Sequence, residues 1–189
     1  MLKSWTPASS LDLRCLTLKT AMLLALATGK RCSSLAYLTL KQGFCEIGET
    51  KLRMQPHGLQ KHSRPDYMGP PIVLEAYTSD PSLCPVFYVK SYIRRTETLR
   101  SSEQLFIITR APHTPASGAT LSSWLRKVIQ QSGQLGSGGS VRSASTSRAL
   151  GRGVTLDLVL NAGDWARVST FKRFYLKSVP MSYLDGVLH

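Results

Sequence analysis

Apolar residues three or four positions apart recur along most of this chain, and this spacing predicts a mainly helical domain. Leu18, Met22 and Leu26 would lie on one face of the first long helix. That helix is predicted to begin near Thr17 and to end at Gly29, since glycine is the usual residue after a helix end. The apolar run inside it is far too short to span a bilayer, so it predicts a buried helix.

The same spacing predicts six further helices. The first follows Lys30 with Leu35 and Leu38 facing inward, the second follows Pro85 with Val86, Val89 and Ile93, and the third follows Thr120 with Leu121, Trp124, Leu125 and Val128. The fourth covers residues 142–150, and the fifth covers residues 156–160 after Thr155. The last follows Ser169-Thr170 and contains Phe171, Phe174 and Tyr175. Thr120, Thr155 and Ser169-Thr170 are the predicted N-caps, because their hydroxyls can accept a hydrogen bond from a free amide of the first turn.

Short segments broken by glycine and proline interrupt the helical pattern. Residues 42–62 predict a small antiparallel hairpin or a three-stranded sheet, and residues 63–84 predict an extended connector. Residues 105–108 predict a short buried strand, and the glycine-rich residues 133–140 predict a flexible loop. We therefore expect an α+β fold, one mainly helical domain over residues 1–189 with a tail at 178–189.

Charge indicates the partner. The formal net charge is +13 and the sequence pI is about 10.0. Such an excess of positive charge predicts a polyanion as the binding partner, because a basic surface that neutralises phosphates releases condensed counterions. A merely soluble basic protein is the alternative at this point. With 42% hydrophobic residues and 19% charged residues the chain can bury a core, so a disordered chain is not expected.

The cysteines and histidines predict no metal site. The four cysteines are scattered without a C-x-x-C pair, which argues against a zinc ribbon. His57 and His62 are five residues apart with no thiolate nearby, so we assign no metal ligand. Because no secretory leader is visible, we expect free thiols in a reducing compartment, a protein that is not secreted and no membrane partner.

Two arginines and a tyrosine stand where they could act on a phosphodiester. Arg31 follows a glycine break at a helix start, and Arg142 lies among small residues that permit close approach to DNA. Tyr175 follows Trp165 by ten residues. A guanidinium can grip two phosphate oxygens at once and stays charged at any ordinary pH. From the residues alone, Tyr175 is more readily a core aromatic, because Phe171 and Phe174 flank it at helical spacing, and Arg142 could be part of a general DNA-facing surface.

Taken in order, these segments resemble the tyrosine recombinase (phage-integrase-like) family. The resemblance runs from about Thr17 to Lys177, and its strongest pieces are ALATGKRCSSLAYL, LCPVFYVKSYIRRT and RSASTSRALGRGVTLDLVLNAGDW followed by STFKRFYLK. The form that these pieces resemble most is the recombinase of DIRS-, Ngaro- and Crypton-type mobile elements. The resemblance implies a catalytic domain that cuts and rejoins DNA.

The resemblance also implies a role for each matching residue. Tyr175 matches the nucleophile, which forms a 3′-phosphotyrosyl link. Arg31 and Arg142 match the two arginines that clamp the scissile phosphate. Trp165 matches a position held by histidine or tryptophan beside the nucleophile. Lys61 matches the lysine that protonates the leaving 5′ oxygen.

Lys51 stays the alternative to Lys61 as the general acid, because hairpin registers are hard to fix from one sequence.

Other basic residues are expected to contact DNA: Arg64, Lys30, Arg148, Arg152, Lys172 and Arg173. The resemblance further implies double-stranded DNA as partner, a homo-oligomer (a tetramer on DNA) and no cofactor. It places the protein in the nucleus, or in the cytoplasm if the source is prokaryotic, and we expect an N-terminal DNA-clamping domain to be absent here.

One departure from the family pattern bears on activity. The family usually carries a histidine three residues before the second arginine, and that place is Gly139 here. An acidic residue commonly follows the first arginine by three places, where this chain has Ser34. Either the chain is catalytically impaired, or another group such as His62 or His113 substitutes. An impaired or domesticated recombinase that only binds DNA is therefore the alternative function, and a basic RNA-binding or scaffold protein is a third.

Overall fold

The computed structural model describes residues 1–58, 70–165 and 167–176, and its longest helix lies at the centre. Helix α1 is Leu13–Thr28. It begins earlier than predicted, because the Asp12 carboxylate accepts a hydrogen bond from the Cys15 amide at 2.6 Å and caps the first turn. It ends at Gly29 in the left-handed conformation, as predicted. Leu26 is 40% exposed, so its predicted place on the buried face was wrong.

Six more helices follow: α2 Cys32–Ala36, α3 Pro85–Thr96, α4 Gly118–Gln131, α5 Ser140–Gly151, α6 Leu156–Gly163 and α7 Val168–Phe174. Short 3-10 turns lie at Leu2–Ser4, Pro81–Leu83 and Glu97–Leu99. Pro85 occupies the first turn of α3, where its missing amide hydrogen would have had no partner in any case.

One of the three predicted helix caps is confirmed. Thr155 caps α6 by accepting a hydrogen bond from the Leu158 amide. The prediction for α4 was wrong, because Ser117 is the N-cap and accepts from the amide of Thr120. The prediction for α7 was also wrong, because Arg167 holds the N-cap position without a side-chain hydrogen bond. In both errors the helix starts earlier than the first apolar residue of the pattern suggests.

The sheet has three antiparallel strands in the order β1-β2-β3. Strand β1 is Cys45–Ile47 and β2 is Lys51–Met54, and they pair as a hairpin with Glu46 opposite Arg53. Strand β3 is Ile72–Glu75, inside the segment predicted as an extended connector. It pairs with β2, with Leu52 opposite Leu74. The two side chains of β2 that point inward, Leu52 and Met54, are fully buried.

The predicted strand at residues 105–108 was wrong. Leu105, Phe106 and Ile107 are buried, but the segment makes only isolated bridges, Thr39 with Gln104 and Ile107 with Pro115. Apolar periodicity alone does not distinguish a buried strand from a buried irregular segment.

Buried apolar side chains of the described residues form two clusters. The large one, here called the main core, surrounds α1, which packs against α3, α4 and α5. The small one, here called the C-terminal cluster, consists of Val159, Leu160, Trp165 and Phe171 from α6, α7 and the turn between them. Helix α5 contacts both α1 and α6. The fold is therefore α+β, mainly helical with a small antiparallel sheet, as the sequence predicted.

Candidate active site

Arg142 lies at the centre of the candidate site, on the first turn of α5. It is only 5% exposed, although it carries a charge. Its Nη2 donates a hydrogen bond to the carbonyl oxygen of Gly163 at 2.6 Å. Its Cζ lies 3.7 Å from the ring centroid of Trp165 and 5.1 Å from that of Tyr175. The guanidinium thus lies over one aromatic ring and close to a second.

Tyr175 stands at the end of α7, at the edge of the C-terminal cluster. Its ring meets that of Trp165 edge to face, with centroids 5.1 Å apart. Its carbonyl oxygen accepts a hydrogen bond from Ser147 Oγ of α5 at 3.1 Å. Phe171 on the same helix is fully buried and Phe174 is 65% exposed, whereas Tyr175 is half-buried. Tyr175 is therefore not sealed in a core, and its ring faces the arginine.

Arg31 lies at the N-cap position of α2. Burial lowers the pKa of Arg142 to about 10, and the nearby positive charge of Arg31 lowers it next, while Tyr175 and Asp164 act in the opposite direction. The guanidinium of Arg142 therefore stays charged at neutral pH. Arg31 is thus near enough to Arg142 for its charge to act on that guanidinium, and a shared phosphate site for the two arginines stays a prediction.

Glycine residues allow this approach of α1 and α5. Gly29 has φ 59°, and a Cβ added there would lie 3.0 Å from Cγ2 of Thr146 on α5. Gly29 directly precedes Lys30 and Arg31, so the turn that ends α1 leads into these two residues. A Cβ on Gly163 would lie 1.8 Å from the Trp165 ring, so a side chain there would displace the ring from Arg142.

Three buried nitrogen atoms of the site have no acceptor among the described residues. They are Nε and Nη1 of Arg142 and Nε1 of Trp165. A buried donor without a partner costs about 1–3 kcal/mol, so buried donors usually have an acceptor. A phosphate group offers several acceptor oxygens and a negative charge, and it fits this set of donors.

The sequence predicted that Lys30 contacts DNA, but its side chain is buried in this structure. Its side chain is 5% exposed, and its Nζ lies 2.6 Å from Oδ1 of Asp164. Burial lowers the pKa of Lys30, and the hydrogen bond and charge of Asp164 raise it. Sequence reasoning missed Asp164, because a single acidic residue after a helix has no distinctive spacing. DNA contact by Lys30 stays a prediction.

The expected general acid is not among the described residues. Lys61 lies outside them, as do Arg64 and His62. The rival, Lys51, is exposed at the start of β2 and lies opposite Glu75 of β3. The choice between Lys51 and Lys61 therefore stays open.

Gly139 is the N-cap residue of α5, and no side chain caps that helix. A Cβ added there would meet only Ser137 Oγ, at 3.6 Å, and its φ of −70° suits any residue. Gly138 differs, because a Cβ there would lie 2.4 Å from the Ser122 carbonyl oxygen. Position 139 thus accepts a Cβ, and position 138 does not.

Four other predicted DNA contacts are exposed: Arg148, Arg152, Lys172 and Arg173. They lie at the end of α5 and on α7, the two helices that carry Arg142 and precede Tyr175.

In the described part of the chain, His, Cys, Asp and Glu residues form no group of three that could hold a metal ion. None of the helices in that part combines the length and the apolar character that crossing a membrane requires.

Comparisons of the sequence found no matching protein-family model and no matching curated protein. Solved structures do match. XerA recombinase matches 94% of this chain with TM-score 0.64 and 16% identity, and XerH site-specific recombinase bound to its difH substrate matches 94% with TM-score 0.65 and 13% identity. A lambda integrase dimer bound to a COC′ core site matches 96% with TM-score 0.56 and 16% identity.

The matched part is about half of each of these proteins, since the chain covers 56% of XerA, 47% of XerH and 60% of the lambda integrase fragment. The structural neighbours are thus tyrosine recombinases and integrases, two of them solved with DNA. This chain has the fold of their catalytic domains.

Proposed function

We propose that this chain cleaves and rejoins double-stranded DNA, as the catalytic domain of a site-specific recombinase or integrase. The observation that carries the proposal is the buried guanidinium of Arg142, which stacks on Trp165 near Tyr175 and keeps two nitrogens without a described partner. A cation held this way is prepared for an anion that arrives from outside, and the scissile phosphate is an anion of the right size.

In the proposed reaction the phenol oxygen of Tyr175 attacks phosphorus and the bond from phosphorus to the 5′ oxygen breaks. The phenol releases its proton to solvent water, and the leaving 5′ oxygen gains a proton from Lys61, with Lys51 as the rival donor. Arg31 and Arg142 neutralise the charge that develops on the non-bridging oxygens. The 3′-phosphotyrosyl link keeps the phosphate ester, so attack by a 5′ hydroxyl rejoins a strand without a cofactor.

We further propose double-stranded DNA as the partner and a homo-oligomer as the active form. XerH was solved on its difH substrate, and lambda integrase as a dimer on a core site and as a tetramer on a Holliday junction. The net charge of +13 supports the same partner. The sequence resemblance to DIRS-, Ngaro- and Crypton-type recombinases leads us to propose a mobile-element origin and action in the nucleus, or in the cytoplasm if the source is prokaryotic.

A second candidate function is DNA binding without cleavage. Gly139 favours it, because the family's histidine at this place contacts the phosphate and transfers a proton, and glycine can do neither. Positioned proton transfer of that kind is worth roughly 10² to 10⁴ in rate.

Trapping of the covalent intermediate tests the proposal. Duplexes with a nick near the cleavage point and randomised flanking sequence lose the short strand after attack, so the adduct accumulates. We expect a protein–DNA adduct that survives denaturing electrophoresis. Tyr175→Phe should abolish the adduct and leave DNA binding nearly unchanged, and Tyr77→Phe, at an exposed tyrosine, should leave both unchanged. An adduct retained in Tyr175→Phe would refute the assignment, and bound DNA without any adduct would favour the second candidate.

A further inference from the structure

The candidate nucleophile and the first arginine belong to different apolar clusters. Tyr175 packs against the C-terminal cluster, whose buried members number four. Arg31 lies between α1 and α2, whose buried residues belong to the main core. A cluster of this size offers few apolar contacts. Packing alone therefore holds the C-terminal cluster only weakly in its position relative to Arg31. Polar links between the two clusters therefore matter for the site.

Two of these links start from α5. Arg142 donates to the carbonyl oxygen of Gly163, and Ser147 donates to that of Tyr175. The third link starts from the residue beside Arg31, since Lys30 Nζ lies 2.6 Å from Asp164 Oδ1. Asp164 itself stands between the two residues that hold Arg142, Gly163 with its carbonyl group and Trp165 with its ring.

The chemistry of this ion pair suits a fixed contact. Lys30 is 5% exposed at its side chain, so its ammonium group has lost most of its hydration, whereas Asp164 is 28% exposed. Removing one partner of such a pair leaves a buried charge without compensation. Asp164 also adopts the left-handed conformation with φ 56°, which is uncommon for a residue other than glycine and is tolerated best by Asn and Asp.

We propose that the Lys30–Asp164 ion pair is a positioning contact that holds the C-terminal cluster, and with it Tyr175, in register with Arg31. Both residues act through the groups beside them: Lys30 through Arg31, and Asp164 through Gly163 and Trp165. They are positioning residues. The consequence for catalysis rests on the proposed function, whereas the structural part of the proposal does not.

The structural part is tested on the DNA-free chain by hydrogen–deuterium exchange with peptide resolution. Asp164→Asn keeps the shape of the side chain and removes its charge. We expect exchange in residues 156–176 to rise about tenfold, with α1 and α4 unchanged, because only the attachment of the C-terminal cluster weakens. Asp157→Asn removes an exposed carboxylate of α6 and should leave the exchange unchanged. Unchanged exchange in Asp164→Asn, or an equal rise over the whole chain, would overturn the proposal.

The catalytic part is tested with the adduct assay. The double variant Lys30→Met with Asp164→Asn carries no unpaired buried charge, so its melting temperature should recover relative to Asp164→Asn alone. We expect its adduct rate to stay about tenfold below the unmodified chain, since the link is still missing. Recovery of the rate along with the melting temperature would reduce the pair to a stabilising contact and overturn the positioning role.

Two further outcomes separate the possibilities. A faster adduct rate in Asp164→Asn would also overturn the positioning role, because the carboxylate would then compete with the phosphate for the cations. If the unmodified chain forms no adduct while exchange responds as expected, the proposed function fails, and the structural link between the clusters stands.

Discussion

At the scale of single residues, the proposed chemistry depends on how the guanidinium of Arg142 is held. Its Nη2 donates to the Gly163 carbonyl oxygen, its Cζ lies over the Trp165 ring, and Nε and Nη1 have no acceptor among the described residues. A planar fork can stack and donate at the same time, whereas an ammonium group cannot. This site therefore requires arginine rather than a positive charge of any kind.

Arg142→Lys should for that reason lower the adduct rate strongly even though the charge is kept. We expect a loss of about 10² to 10³, the usual effect of removing one donor to a developing oxyanion. The exposed Arg152→Lys is the matched control, and it should retain the rate. An Arg142→Lys variant as fast as that control would contradict the assignment. Single-turnover adduct formation on the nicked duplexes is the measurement.

Gly139→His should raise the adduct rate, because position 139 has room for a side chain and the family's histidine acts there. The expected gain is roughly 10² to 10⁴ if proton transfer limits the rate. Gly139→Ala makes the same backbone change without an imidazole and should give no comparable gain. Equal rates for the two variants would mean that the missing histidine does not limit this chain.

Sequence reasoning identified some of these residues and not others. Arg31, Arg142, Trp165 and Tyr175 were predicted because the motifs that contain them occur in the family's order. The structure places Arg142, Trp165 and Tyr175 close together, and the charge of Arg31 acts on Arg142. Asp164 was missed because its partner, Lys30, is distant in sequence and only the tertiary fold joins them. Residues in contact only through folding leave no local pattern.

At the scale of elements, the junction of α1, α2 and α5 aims the first arginine. Gly29 ends α1 in a left-handed conformation against Thr146 of α5, and the chain then turns into Arg31 at the start of α2. A glycine serves here for two reasons, its positive φ and the close approach of α5.

Gly29→Ala should therefore destabilise the fold and disturb the site. The left-handed conformation alone costs an alanine about 1–2 kcal/mol, and the contact with Thr146 adds to it. Gly43→Ala is the matched control, since Gly43 has φ 84° and its Cβ would meet no atom within 4 Å. Chemical denaturation should show a larger loss for Gly29→Ala, and only that variant should lose adduct rate. Equal effects would mean that the α1–α5 contact is unimportant.

The elements predicted best are those with clear helical periodicity, such as α3 and α4. Strand β3 was missed because it is four residues long and follows Pro70-Pro71 in a polar segment. It becomes a strand because β2 offers it an edge and because Ile72 reaches the main core. Such tertiary pairing overrides local propensity.

At the scale of the whole molecule, the positive charge and the two-cluster architecture determine behaviour. The net charge of +13 predicts strong and salt-dependent binding to nucleic acid. The overall α+β class could be predicted from periodicity and punctuation. The division into a main core and a C-terminal cluster could not, because it depends on which helices pack together.

The exposed cations near the site should contribute to the salt dependence of DNA binding. Arg148→Gln with Arg152→Gln should reduce the slope of log affinity against log salt by up to about 2, since each phosphate contact contributes roughly 0.9. Lys3→Gln with Arg14→Gln removes the same charge from exposed residues with no predicted DNA contact and should change the slope less. Equal slopes for the two double variants would contradict the predicted placement of DNA. Titration of labelled duplex at several salt concentrations measures this.

The central claim is that folding gathers two guanidinium groups and one phenol oxygen around a single phosphate. Its most direct test is to digest the trapped adduct and identify the modified residue by tandem mass spectrometry. We expect the digested adduct to carry one nucleotide joined through its 3′ phosphate to Tyr175, and we expect no adduct from Arg31→Ala or Arg142→Ala. A nucleotide on any other residue, or an undiminished adduct from both arginine variants, would contradict it.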